Sequence, residues 1–413
     1  MSAADSRGPS DRVLVVGAGP FQLDVIDAAR RLGAEVIAVD RRADAPGMAR
    51  ADRAIAIDTS DVAAVVEVAR TWRVTGVVTA ASDVAVSAVA AVAEALSLPG
   101  LRPEVARRCH DKLETFSWLR ARDLAVPDTL PVQSAHDARE AVAALGGYPV
   151  VVKPRSSAGG RGVSIVGRPE LLERALERAL SYAGPDEGAL VQRFVGGTSV
   201  GVEAFFAGGD LVAAFVMDDQ YQDGFVSPVG HSLPSTLPGP VLDAVRLDVA
   251  RFASAIGLAD GPANFDLRRD GETTVLLEIN ARLGGNSITD LVRACHGVDL
   301  AEATVLGAVG RDPRTALAPT RESPTAARLM LTRGRGRARV AAPDARWQAH
   351  PDVLTLDVVV RDGELPTLVA DAWTILGRCI VRGATPNAAA ELARAVADAV
   401  SASISLEPDS IRP

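Results

Sequence analysis

The stretch Asn264–Asn286, NFDLRRDGETTVLLEINARLGGN, decides the reading of this chain. Two apolar runs flank the turn signal Asp270-Gly271, which predicts a β-hairpin. Beyond Leu277, the residues Glu278, Asn280 and Arg282 recur at period two and share one face, with Ile279 on the other. A carboxylate, an amide and a guanidinium on one face suit a metal–phosphate site better than a solvent surface. Asp266 on the first strand joins that face only if paired residues have numbers summing to an even value. A two-residue Asp270-Gly271 loop gives an odd sum and turns Asp266 away. The four groups can act together only through a three-residue loop or a bulge. Magnesium takes hard oxygen ligands, one or two carboxylates plus nucleotide phosphates, and Asp266, Glu278 and Asn280 would supply that set. Arg282 could clamp a developing negative charge. The competing reading is an ordinary hairpin with an exposed polar face.

Composition narrows the class. A chain of 413 residues is too long for one ordinary domain, so about two to four are expected. With 48% hydrophobic and 23% charged residues it reads as a soluble globular protein, and with only 4% aromatics its cores must be mostly Ala, Val and Leu. The net charge of −8 argues against a nucleic-acid partner. No apolar run reaches the length of a membrane span, and the opening MSAADSRGPSDR has no signal-peptide core, so a cytoplasmic enzyme is expected. Cys109, Cys295 and Cys379 are odd in number and widely separated, which reads as neither a disulfide framework nor a thiolate zinc site. One fact is sharper: of 44 basic residues only Lys112 and Lys153 are lysines. Lysine brings a compact point charge into a phosphate site where arginine brings a broad fork, and both lysines stand in motif-like settings.

Taken in order, Arg12–Asp40 predicts strand, helix, strand around a glycine-rich turn, VLVVGAGP. Gly17 and Gly19 invite a dinucleotide reading, but the third glycine position is Gln22, which breaks the fingerprint. AIAID, a helix at 62–72, GVVTA and a helix at 83–96 complete an α/β domain. Asp111 is a candidate N-cap for the helix that begins at Lys112. A helix at 135–145 precedes the strand VVVKP, which ends on Lys153. RSSAGGRGVSIV follows, a small-residue loop in which Ser156 and Ser157 offer hydroxyls, Gly159, Gly160 and Gly162 allow close backbone approach, and Arg155 and Arg161 add charge. It is not a Walker A loop; beside Lys153 it reads as a phosphate cover. The strand ALVQRFV could present strand-edge backbone groups of Gln192, Arg193 and Val195 to a purine, with Ser199 on the strand SVGVEAFF beyond. VGHSLP predicts a loop that holds His231 between prolines. Gly284 and Gly285 could lend N–H groups to an anion at the start of a helix over 287–295. From about residue 324 the chain predicts strands and one helix at 386–403, and TRGRGRAR is a local basic cluster that reads as a solvated loop before an RNA-binding tag.

These pieces in this order resemble the ATP-grasp superfamily, and the resemblance covers most of the chain. It implies an α/β and α+β multidomain fold: a Rossmann-like pre-ATP-grasp domain over 1–108, an ATP-grasp domain of two α+β subdomains over 109–320 with a small lid at about 125–190, and a small β-rich C-terminal α+β domain over 321–413. Lys112 and Lys153 match the family's nucleotide lysines, SSAGGRGV its mobile loop over the phosphates, and VQRFV its hinge strand at adenine. Asp266, Glu278 and Asn280 match its magnesium ligands, and Arg282 the basic residue near an acyl phosphate. Two departures stand out: Gln192 where relatives often carry Glu, and Asp rather than Glu at the first metal position. Within the superfamily VGHSLP, EINARLGG and GRCIVRGATPNAAAEL look most like L-amino-acid ligases, which makes His231, Arg282, Gly284 and Gly285 substrate-side candidates. The implied activity is ATP-dependent joining of a carboxylate to an amine through an acyl phosphate. ATP and Mg²⁺ are implied as cofactors, two magnesium ions with Mn²⁺ able to substitute, and a homodimer as the assembly. A biotin-carboxylase-like enzyme acting on bicarbonate and a non-catalytic ATP-binding protein are the alternatives.

Overall fold

The computed structural model describes residues 11–157, 159–184, 187–341, 345–366, 368–370 and 373–407. The first ten residues of the expected N-terminal domain, Ala158 of the glycine loop and the last six residues of the chain lie outside them. The architecture is mixed α/β, built on three main sheets.

Short aliphatic runs flanked by amphipathic helices give the first sheet. Strands Arg12–Val16, Glu35–Asp40, Arg53–Ala56 and Gly76–Val78 pair in parallel, with Arg12–Val16 between the second and the fourth. Buried runs such as Val13–Val16 and Val36–Val39 are what a parallel sheet covered on both faces requires. The glycine-rich turn serves the fold. Gln22, at the broken third position, is buried and donates its side-chain amide to the carbonyl of Ala80. Asp40 accepts from the backbone of Ala18 and Arg42, 2.8 Å each, and so is already engaged.

The second sheet is small: Thr129–Val132, Ala189–Arg193, Val150–Pro154 and Ser164–Val166, antiparallel in that order. Helices Ala135–Ala144 and Leu172–Leu180 cover it, and its core of Val132, Val142, Val150, Leu176 and neighbours is its own. A 3₁₀ turn, Pro169–Leu171, leads into helix Leu172–Leu180.

The third sheet has nine strands, all antiparallel. Strand Thr273–Asn280 forms one edge, followed inward by Gly261–Asp270, Thr198–Ala207 and Asp210–Gln220. The short strand Gly230–Leu233 then leads to Thr325–Arg333, Trp373–Arg382 and Val353–Val358, with Leu368–Ala370 paired beside Trp373–Arg382. Strands from the C-terminal segment thus extend the same sheet that carries the hairpin. Helix Gly239–Ile256 covers the hairpin's apolar side, where Phe252 meets Phe265, Leu267, Leu276 and Ile279. Fully burying each of these side chains contributes about 1.5–3 kcal/mol. Helices Ile288–His296 and Leu300–Ala308 pack between this sheet and the N-terminal one in a single core that includes Val13, Val25, Phe205, Leu233 and Leu291. Among the described residues no helix is long and apolar enough to cross a membrane.

Candidate active site

The hairpin shows how one backbone irregularity assembles the site. Its turn lies one residue beyond the expected one: Asp270 pairs with Thr273, so Gly271-Glu272 is the loop, with Gly271 at φ 57°. That pairing and the next three, as far as Leu267 with Leu276, have odd sums. The register then shifts between Asp266 and Leu267, leaving Leu277 as the extra residue, and beyond it Asp266 pairs with Glu278 and Asn264 with Asn280. A bulge therefore flips the parity where the metal set needs it. Asp266 faces Glu278 across the strands, and Phe265 and Ile279 turn into the core.

Lys112 is the first residue of helix Lys112–Arg120, whose cap Asp111 accepts from the N–H groups of Leu113 and Glu114. The buried Lys112 ammonium lies 3.2 Å from Glu278 Oε1 and donates to the Ser157 carbonyl at 2.6 Å, so it ties the hairpin to the glycine loop. Arg155 forms a two-pronged pair with Asp111, at 2.8 and 2.6 Å, and locks the loop's start to that helix instead of facing the cleft. Lys153, at the end of strand Val150–Pro154, is 6% exposed and lies 4.9 Å from the centre of the Phe116 ring. Burial pushes its ammonium down to about 7, with Lys112 adding to the shift and Glu278 and Asp266 opposing it. Burial, then the charges of Glu278 and Asp219, pushes the Asp266 carboxyl well above the usual range. Carboxylates and ammoniums crowded in this way suit a ligand that carries both a cation and phosphates.

One cleft between the small sheet and the hairpin brings most of the expected residues together. Lys112, Lys153, Ser157, Gly160, Asp266 and Glu278 line one part of it, and Gln192, Arg193, Val195 and Ser199 another. Ser156 and Asn280 line the adjoining hollow with Lys112, Glu278 and Asp83. Gly159 and Gly162 shape the loop without lining the cleft. Gly160 (φ 71°) sits against the segment that leads to His231: a Cβ there would lie 2.2 Å from Ser227 Oγ.

Three expectations need correction, and Arg282 has a partner that its own segment does not reveal. His231 is not in a loop: it lies on strand Gly230–Leu233, buried, with Nδ1 2.9 Å from Asp219 Oδ1 on the neighbouring strand. Period-two alternation in VGHSLP is too short to reveal a four-residue strand. Gln192 is not at a sheet edge: its backbone pairs with Thr129 on one side and Val151 on the other, and its side chain donates to Thr129 Oγ1 at 2.9 Å. The Gly284 N–H is not available to an anion, because both oxygens of Glu203 accept it at 3.1 and 3.2 Å. Arg282 is paired across the molecule with Asp83 at the start of helix Asp83–Leu96, Nε and Nη2 each 3.0 Å from a carboxylate oxygen. Burial raises the Asp83 carboxyl, but Arg282 more than reverses this and holds it below the usual range.

Glu203 is the residue that sequence reasoning missed. It is fully buried in the middle of strand Thr198–Ala207, accepts also from Asn264 Nδ2 at 3.0 Å, and is pushed up to about 7 by burial. Its signal was a lone acid inside the apolar run SVGVEAFF, which has to find buried partners. Gly284 is glycine because a Cβ would stand 2.7 Å from Glu203 Oε2 and from Ile288 Cδ1. Asp219 was likewise unread: it accepts from Ser199 Oγ at 2.7 Å as well as contacting His231.

Comparison with known proteins identifies the family. A family model described as the ATP-grasp domain matches residues 146–290, and one described as the ATP-grasp N-terminal domain matches residues 26–100. The chain belongs to the ATP-grasp superfamily. A formate-dependent phosphoribosylglycinamide formyltransferase from Rhodococcus jostii (strain RHA1) is 34% identical over 266 residues, 60% of this chain and 62% of that protein. Its counterpart from Synechococcus sp. (strain WH7803) is 38% identical over 189 residues, 45% of this chain and 48% of that one. The chain therefore spans about half to three-fifths of the length of these curated relatives. The L-amino acid ligase from Bacillus licheniformis has the same fold, with a TM-score of 0.79 at 19% identity over 98% of this chain and all of that one. The hairpin and the glycine loop fall within the matched residues 146–290, and Asp83 falls within 26–100.

Proposed function

We propose that the protein is an ATP-dependent carboxylate–amine ligase, acting on amino acids and releasing ADP and phosphate. The observation that carries this reading is the meeting of Asp266, Glu278, Lys112 and Lys153 under the glycine loop in one cleft. Asp266, Glu278 and Asn280 supply the hard-oxygen set that would hold Mg²⁺, whose charge would offset that of the nucleotide phosphates. Lys112 and Lys153 neutralise the rest as the γ-phosphoryl passes to the substrate carboxylate. The resulting acyl phosphate is attacked by an amine, a carbon–nitrogen bond forms, and phosphate leaves. Arg282 faces the charge that develops on the acyl oxygens, oriented by Asp83. The glycine loop and small sheet close over the intermediate and keep out the water that would hydrolyse it. In this reading the small sheet with its helices acts as the lid, and the N-terminal sheet completes the substrate wall.

A second reading, that the activated acid is formate, draws on the Rhodococcus relative, a formate-dependent formyltransferase. Phosphate release with ATP and Mg²⁺ separates the two in parallel arms of pooled amino acids, formate with an amine, and bicarbonate. ATP consumption that requires amino acids, with a product of dipeptide mass, is the expected result. Turnover in the formate arm alone transfers the assignment to one-carbon acids. Turnover with bicarbonate alone moves it to the carboxylases.

A further inference from the structure

Beside the nucleotide cleft, and continuous with it through Gly160, Tyr221 and Arg268, lies a larger hollow of about 930 Å³. Its walls come from three separate parts of the chain. Arg174 stands on helix Leu172–Leu180 of the small sheet, Arg268 on the hairpin, and Arg333 at the end of strand Thr325–Arg333. Glu177 is the one acid among the described lining residues. Among the described residues no ion pair joins any of these three arginines to a carboxylate.

The floor is built to present charge. The Arg333 guanidinium lies 5.1 Å from the centre of the Trp373 ring, and Phe225 braces that ring edge-on at 5.6 Å. Trp373 and Phe225 are buried together with Val229, Leu329 and Leu331. Gly224 makes room for the arginine: a Cβ there would lie 2.9 Å from Arg333 Nη2. Arg268 lies 5.8 Å from the Tyr221 ring and donates to the Gly197 carbonyl at 3.2 Å. A guanidinium on an aromatic face is held by its plane and leaves its N–H edge for an oxyanion.

We propose that this hollow binds a ligand carrying two or more oxyanion groups, which bridges the small sheet to the body of the protein. Like charges on facing walls repel when the hollow is empty, and an anion spanning them converts that repulsion into attraction. The ligand therefore favours the closed arrangement and, by reciprocity, tightens nucleotide binding. The basic run TRGRGRAR finds a role here at Arg333, while Arg337 and Arg339 turn to Gly363 and Glu407.

The test uses the full chain and hexanediol bisphosphate, a probe with no sugar or base to recognise. Calorimetry is run on protein saturated with ADP and Mg²⁺, and again on nucleotide-free protein. The expected result is saturable binding in both, weakened about tenfold or more in the R174A/R333A double variant, with that variant's ADP affinity unchanged when the probe is absent. Absence of saturable binding, or equal binding by the double variant, overturns the proposal. ADP affinity is read separately, so failure of the nucleotide cleft is distinguishable from failure of this one.

Discussion

At the scale of the residue, the site rests on buried charges whose partners are specific. Glu203 is the clearest case, since its carboxyl is pushed from 4.5 to about 7 by burial, against the pull of Gly284 N–H and Asn264. The folded state then keeps a proton that the unfolded chain has released. Stability is full below about pH 4.5 and falls as pH rises towards about 7, by up to about 3 kcal/mol. Thermal unfolding followed by circular dichroism should show the midpoint dropping across that window in the wild type and staying flatter in E203Q. An equal pH dependence in the two proteins would remove Glu203 from this account. The Arg282–Asp83 pair works on the same principle, a guanidinium held where water is scarce by a carboxylate it cannot lose cheaply.

At the scale of the element, strand Thr273–Asn280 carries chemistry on one face and core on the other, and adjacent substitutions should separate the two. I279A deletes a buried side chain against Phe252 and Phe265 and should cost about 2–5 kcal/mol of stability while nucleotide affinity is kept. E278A should abolish Mg²⁺-dependent nucleotide binding and keep the fold, with a stability cost confined to the Lys112 ammonium it leaves unpaired. Denaturant titration and calorimetry on the same two proteins check both halves. The need for a bulge was legible because parity is arithmetic: Asp266 could meet Glu278 in no other way with a two-residue loop. Period-two spacing likewise placed Asn280 on that face, and apolar runs gave the parallel sheet. His231 was misread because a four-residue strand between a loop and Pro234 leaves too few positions for alternation to show. Gly284 was misread because its N–H is consumed by Glu203, 81 positions earlier, and no local pattern carries so distant a pairing.

At the scale of the whole molecule, the N-terminal sheet is joined to the site through its outer edge. Ala80 bridges to Leu283, and the Ala81 N–H donates to the Leu283 carbonyl at 3.0 Å. Asp83 then holds Arg282 two residues further along. In the sequence these two regions stand apart, because nothing local in the GVVTA strand or the helix after it announces an arginine 199 positions away. If this contact orients Arg282 for the acyl-transfer step, D83N should lower turnover about tenfold or more while ATP affinity stays within about twofold. Steady-state kinetics with calorimetry decide it: an equal fall in ATP affinity would show that the contact serves general stability. By contrast, the small sheet has its own core and touches the rest of the site chiefly through the glycine loop, Lys112 and Lys153. That separation is what lets it act as a lid in the proposed mechanism.

The central claim is that the hairpin and the two lysines together form a magnesium–nucleotide site, and calorimetric titration of a non-hydrolysable ATP analogue tests it most directly. The titration is run with and without Mg²⁺, on the wild type and on K153M, in which methionine fills the buried lysine's space. The account predicts binding to the wild type that tightens at least about tenfold with Mg²⁺, and loss of that binding in K153M with an unchanged melting temperature. Equal affinity in the two proteins, or wild-type binding indifferent to Mg²⁺, would contradict it.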